Sequence, residues 1–195
     1  MTPDGIDAAT LALLPRVDVG ADDDGPAPAP DQAPPGPWST VSWEGEGRGA
    51  VGPGPRGVVR LAVAALLAEA APPSWSGPAE GGVLLGTDDE VAELNARFRD
   101  RPRPTNVLSF PAGPIEPGSV PPAYLGDLAF AHGVAAREAD ERGQALAAYL
   151  AVLAVHGAAH LIGHDHGSDG EAEAMEALEA RALARLGLPN PYADE

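Results

Sequence analysis

The chain contains no cysteine. A disulfide framework and a thiolate metal site are therefore excluded, and any bound metal must be held by histidine and carboxylate. It contains no lysine either: all 12 basic residues are arginine, set against 29 acidic ones for a net charge of -17. So acidic a chain repels polyanions, and composition alone weighs against a nucleic-acid substrate. The start, M-T-P-D-G-I-D, places no basic segment ahead of the apolar Leu11 to Leu14, so no signal peptide is read there. Long apolar runs are scarce. The longest, Leu146 to Ile162, is alanine-rich, holds two histidines and lacks basic anchors at its ends, which predicts a core helix rather than a membrane span. The expectation is a soluble, cytoplasmic protein with no membrane partner.

What the chain has in abundance is glycine (24) and proline (22), concentrated in its first half. The tract D-D-D-G-P-A-P-A-P-D-Q-A-P-P-G-P buries too little apolar surface to offset the entropy of ordering, so residues 1–36 are predicted to be a disordered extension. Residues 37–195 are expected to form one domain.

Within that domain, Trp38 to Trp43 reads as a first, edge strand. A helix follows from Pro55, with Val58, Leu61, Val63, Leu66 and Leu67 on its apolar face. Gly82 to Gly86 is a short buried strand. Thr87 and Glu90 form a capping box opening a helix that turns Val91, Leu94 and Phe98 inward and stops at Pro102. Thr105 to Phe110 and Tyr124 to Ala131 read as neighbouring antiparallel strands. Three helices complete the domain: His132 to Arg142, Gln144 to Gly163, and one capped by Ser168 with Glu171 that runs to about Leu186. This order predicts an α+β fold, a single small mixed sheet of about four strands packed by about five helices.

Four of the five histidines fall in one stretch, V-H-G-A-A-H-L-I-G-H-D-H-G: His156, His160, His164 and His166. His156 and His160 are four apart, so on a helix they stand one above the other on a single face, as two ligands of one ion do. Gly163 can end the helix in a left-handed turn and swing either His166 or His164 back as a third ligand. Burying several imidazoles together for purely structural reasons would be costly. Three histidines leave a coordination position open, as in a hydrolytic rather than a structural site. The spacing also suggests zinc peptidases, but the general-base glutamate of H-E-x-x-H is replaced here by Gly157.

The pattern H-G-x-x-H-L-x-G-x-D-H resembles the signature of the YbeY family of bacterial endoribonucleases. Two further blocks, in the same order, are similar to that family: Glu93-Leu94-Asn95 with Phe98-Arg99 and Pro104 to Pro111, then Leu125-Gly126-Asp127. The resemblance runs from about Gly82 to Tyr192, more weakly from Trp38, and is absent from the first thirty-odd residues. It implies a single-strand-specific, metal-dependent endoribonuclease of ribosomal RNA processing, active in small-subunit rRNA 3′-end maturation and ribosome quality control. Its expected cofactor is one Zn2+ per chain. Ribosomal RNA is the expected substrate, ribosomal proteins or the small subunit are further partners, and DNA is not a partner.

The resemblance also implies His166 as the third ligand beside His156 and His160, and gives Arg99 and His156 catalytic roles. His164 is a departure, because the family usually has tyrosine there. A guanidinium at Arg99 suits charge building on phosphate oxygens, whereas without the resemblance it reads as a surface residue ending a helix. Arg97, Arg99, Arg101 and Arg103 together offer a basic patch on an acidic body. His164, Asp165 and Asp127 are candidates to orient an imidazole from outside the ligand set, or else are plain turn residues. Asn106 and Ser109 are expected to bond backbone near the site. The competing function is a metal-stabilised ribosome assembly factor with little nuclease activity of its own, which the acidic charge favours.

Overall fold

A computed structural model describes residues 17–18, 54–75 and 79–193. Among them, β1 (Val17–Asp18), β2 (Ala79–Gly86), β3 (Val107–Pro111) and β4 (Tyr124–Ala131) form one sheet in the spatial order β1-β2-β4-β3. β2 runs parallel to both β1 and β4, and β3 is antiparallel to β4. The sheet is therefore mixed, and β3 leaves one of its edges open.

The strand expected over Trp38 to Trp43 lies outside the described residues. The fourth strand comes instead from Val17–Asp18, inside the tract 1–36 read as disordered, where Val17 pairs with Ala79 and Asp18 with Glu80. That expectation is corrected at these two residues; the remainder of 1–36 is not described. The physical reason is that the outer edge of β2 carries backbone donors and acceptors seeking partners, and two residues suffice to pair with its end. A strand so short leaves no period in a sequence.

Among the described residues, five helices flank this sheet: α1 (Pro55–Ala70), α2 (Asp88–Arg99), α3 (His132–Glu141), α4 (Leu146–Leu161) and α5 (Asp169–Arg185). The α+β expectation holds. α1 opens with proline in its first turn, where the missing N–H costs nothing. At the start of α2 the Thr87 hydroxyl accepts from Glu90 N while the Glu90 carboxylate accepts from Thr87 N, both halves of the expected capping box. Asp100, in the left-handed region at φ 57°, ends α2 ahead of Pro102.

Alternation along the strands divides the core. Val83, Leu85, Leu128 and Phe130 belong to the larger apolar cluster with α1, α4 and α5, whereas Leu84, Leu108, Phe110 and Ala129 pack with Val91, Leu94 and Phe98 of α2. Burying each Leu or Phe of this kind contributes about 1.5–3 kcal/mol. α4 is apolar on nearly every side and buried accordingly. It lies on the β3–β4 ladder through Gly157, where an added Cβ would stand 2.8 Å from Leu128 Cδ2 and 3.1 Å from Ser109 Oγ. The histidines that follow are thus carried past the open edge of β3.

No single helix among the described residues is long and apolar enough to cross a membrane, and α3 and α4, long and apolar enough only as a pair, meet at a bend of 113°.

Candidate metal centre and cleft

The last two turns of α4 present His156 and His160 on one face, as their spacing requires. Gly163 then takes φ +90°, and an added Cβ there would lie 2.1 Å from Ile115 O, so only glycine lets the chain turn under the loop after β3. The turn returns His166 to the helix. One ring nitrogen from each of His156, His160 and His166 falls within 4.8 Å of the others. His164 is not in this cluster. Its half-buried ring feels the charges of Glu179 and Arg181 on α5, and burial, the larger influence, lowers its pKa.

Two of the three rings are oriented through Nδ1. His156 Nδ1 stands 2.9 Å from Glu179 Oε1, and His160 Nδ1 stands 3.0 Å from the carbonyl oxygen of His164. Hydrogen bonding at Nδ1 leaves Nε2 of each ring as the nitrogen available to an ion. Desolvation, with smaller repulsion from His156 and His166, lowers the pKa of His160 and favours the neutral form a ligand needs. A donor set of converging imidazoles with a buried carboxylate behind one of them suits a divalent transition metal. The three-histidine cluster could therefore hold a metal ion, and its donor chemistry fits one.

Around it lies a cleft of about 960 Å³ whose walls include Arg99, Arg101 and Arg103 as well as the three histidines. Arg99, at the end of α2, donates from Nη2 to Ser109 O on β3 at 3.0 Å. Asn95, buried one turn earlier, donates to Arg103 O at 2.7 Å and accepts from Arg101 N, so the loop bearing those arginines is fastened to α2. The open edge of β3 thus forms the seam where α2 brings arginine from one face of the sheet and α4 brings histidine from the other.

The other sequence candidates separate. Asp165 is exposed; its Oδ1 accepts from His166 N at 2.9 Å and lies 3.9 Å from His160 Nδ1, so it shapes the turn. Asn106 bonds backbone as expected, accepting from Val107 N at 2.7 Å, and its amide donates to Glu138, which also accepts from Tyr149. Asp127 does not reach the cleft and is corrected. Its neighbour Leu128 faces α4, so alternation turns Asp127 to the α2 face, where it accepts from the Tyr124 hydroxyl at 2.6 Å against Gly82.

The residue that sequence reasoning missed is Glu179. It is 1 % exposed, in the apolar stripe Met175, Leu178, Ala182 and Leu183 of α5. A lone acid at helical spacing within such a stripe was the available signal.

Fold and site together define a small α+β protein with a three-histidine cluster in an arginine-walled cleft. The family model described as Endoribonuclease YbeY matches residues 60–187. The chain is 45% identical over 138 residues to a protein of that name from Sinorhizobium fredii, spanning 71% of this chain and 80% of that one. It is 52% identical over 118 residues to another from Maricaulis maris, spanning 60% of this chain and 71% of that one. It is also similar to the solution structure of TM1509 from Thermotoga maritima, with 23% identity, a TM-score of 0.48, and coverage of 67% and 79% of the two chains. The chain belongs to the YbeY endoribonuclease family.

Proposed function

We propose that this protein is a zinc-dependent endoribonuclease that cleaves single-stranded RNA, acting in the cytoplasm in small-subunit rRNA 3′-end maturation and ribosome quality control. The observation that carries the reading is the meeting of His156, His160 and His166 with Arg99 in one cleft. The family relationship supports RNA as substrate. Ribosomal RNA, with the small subunit or its proteins, is the partner this reading implies.

His156, His160 and His166 would hold one zinc ion. When bound, zinc supplies a redox-silent Lewis acid for a phosphoryl oxygen and for water. The chain's own residues do the rest. Arg99 is fixed by Ser109 O through one guanidinium nitrogen, which leaves the remaining donors of the fork for phosphate oxygens gaining charge. Arg101 and Arg103 give the cleft a positive wall that holds neighbouring phosphates, offsetting locally the repulsion of an acidic body. Zinc is preferred over nickel or copper, which a histidine site also suits, because phosphodiester hydrolysis needs no redox change.

The test is cleavage of a structured small-subunit rRNA fragment by purified protein, with and without chelator, beside Arg99→Ala and His156→Ala. Loss of cleavage with chelator and in both variants is expected. Equal cleavage by all three proteins would mark a contaminant and sink the reading. Metal retention without cleavage would favour the second reading, a metal-stabilised assembly factor whose acidic surface (net charge -17) meets basic ribosomal proteins.

A further inference from the structure

We infer that Glu179, locked by Tyr192, is a positioning residue for the metal centre, so that the segment following α5 takes part in metal retention. The inference rests on the metal reading above. The two oxygens of Glu179 have different partners: Oε1 meets His156 Nδ1 at 2.9 Å, and Oε2 accepts from the Tyr192 hydroxyl. Held at both ends, the carboxylate cannot rotate without breaking a bond, and its plane fixes the rotation of the His156 ring. Tyr192 is itself placed by a turn in which Asn190 Oδ1 accepts from Tyr192 N at 3.0 Å.

Burial makes the arrangement costly unless the carboxylate has a task. Glu179 is 1 % exposed on an otherwise apolar face, and α4 and α5 are already joined by Tyr149, Leu153, Met175, Leu178 and Leu183 in one cluster. A carboxylate accepting from the far nitrogen of a ligating imidazole raises the basicity of the near one and fixes the ring's aim. Among the described residues, only His156 of the three histidines has a carboxylate at hydrogen-bond distance; Asp165 is 3.9 Å from His160 Nδ1 and 69% exposed. The effect should therefore be specific to Glu179.

The experiment measures zinc affinity of the full-length protein by competition with a chromophoric chelator, for wild type, Glu179→Gln, Tyr192→Phe and the double variant, with thermal melts of each metal-free protein. Glu179→Gln is expected to bind zinc about 10–100-fold more weakly. Tyr192→Phe should weaken it less, with a small drop in the metal-free melt from the buried oxygen left without its donor, and should add nothing to the loss of zinc affinity in the Glu179→Gln background because it acts through that carboxylate. Equal zinc affinity across the set, or a lowered metal-free melt with zinc affinity intact, would overturn the inference alone. Absence of zinc binding by wild type would overturn the metal reading as well.

Discussion

Gly157 and Leu128 approach so closely that a Cβ on the glycine would lie 2.8 Å from Leu128 Cδ2, with Ser109 Oγ at 3.1 Å and Val107 Cγ2 at 3.3 Å. This is the position at which a zinc peptidase of the H-E-x-x-H type carries its general base. Here the helix face after the first histidine is pressed on the sheet, so a side chain at 157 enters the core and not the cleft. The absence of that glutamate is thus a packing feature as well as a difference in chemistry.

Gly157→Glu should accordingly destabilise the fold by about 1–3 kcal/mol or more and confer no peptidase activity. Gly157→Ala should stay within about 1 kcal/mol of wild type, because the gain in helix propensity offsets the crowding of a movable leucine methyl. Urea melts and a casein hydrolysis assay check both. A stable Gly157→Glu protein that cleaves casein would show that the face is not closed by the sheet.

Among the described residues, Arg99 is held by one hydrogen bond, to Ser109 O, and stands outside the histidine cluster. Its removal should leave zinc affinity and melting temperature near wild type while lowering RNA cleavage by about 10²-fold or more, the scale of losing a charge-stabilising donor. Arg99→Lys should restore little, since one ammonium cannot both hold the Ser109 carbonyl and fork onto phosphate. Cleavage by Arg99→Lys at the wild-type rate would show that charge alone suffices.

The parts of this site legible in the sequence were those set by local periodicity. Four-residue spacing put His156 and His160 on one face, and Gly163 announced a turn that could return either His166 or His164, the choice of His166 coming from the family resemblance. The capping pair Thr87 and Glu90 located α2 and hence Arg99. What was not legible depended on which way elements face. Asp127 stood beside the right motif, but strand alternation turns it to the α2 side, and nothing local says which face α4 will cover. Glu179 lay in a helix read only for its Ser168–Glu171 cap and its end, not for the apolar stripe in which a lone acid stands out. The support that His164 gives His160 passes through a carbonyl oxygen, which no side-chain pattern reveals. β1 has two residues and carries no period.

Asp127 makes a pH prediction. Burial pushes its carboxyl up to about 6 from an ordinary 3.8, with the Tyr124 hydrogen bond pulling the other way more weakly. Between those values the folded state keeps a proton that the unfolded chain has lost. Its contribution to stability is therefore full below about pH 4 and is lost as pH rises through about 6, by up to roughly 3 kcal/mol. Asp127→Asn should remove this component, so the stability difference between variant and wild type should grow in the variant's favour from pH 4 to 7. Urea melts across that range would reject the idea if the two profiles ran parallel.

His164 and His166 separate the ligand set from its neighbours. The ring of His166 belongs to the cluster, whereas that of His164 lines the same cleft without joining it, and only its main-chain carbonyl serves His160. Alanine at 164 keeps that carbonyl, so His164→Ala should bind zinc as wild type does. His166→Ala should lose more than the ~10–100-fold that removal of an outer partner costs, because a ligand itself is gone. Zinc content after dialysis and chelator competition measure both. Loss of zinc from His164→Ala with retention in His166→Ala would reverse the assignment and mean that the turn at Gly163 presents the other imidazole to the ion.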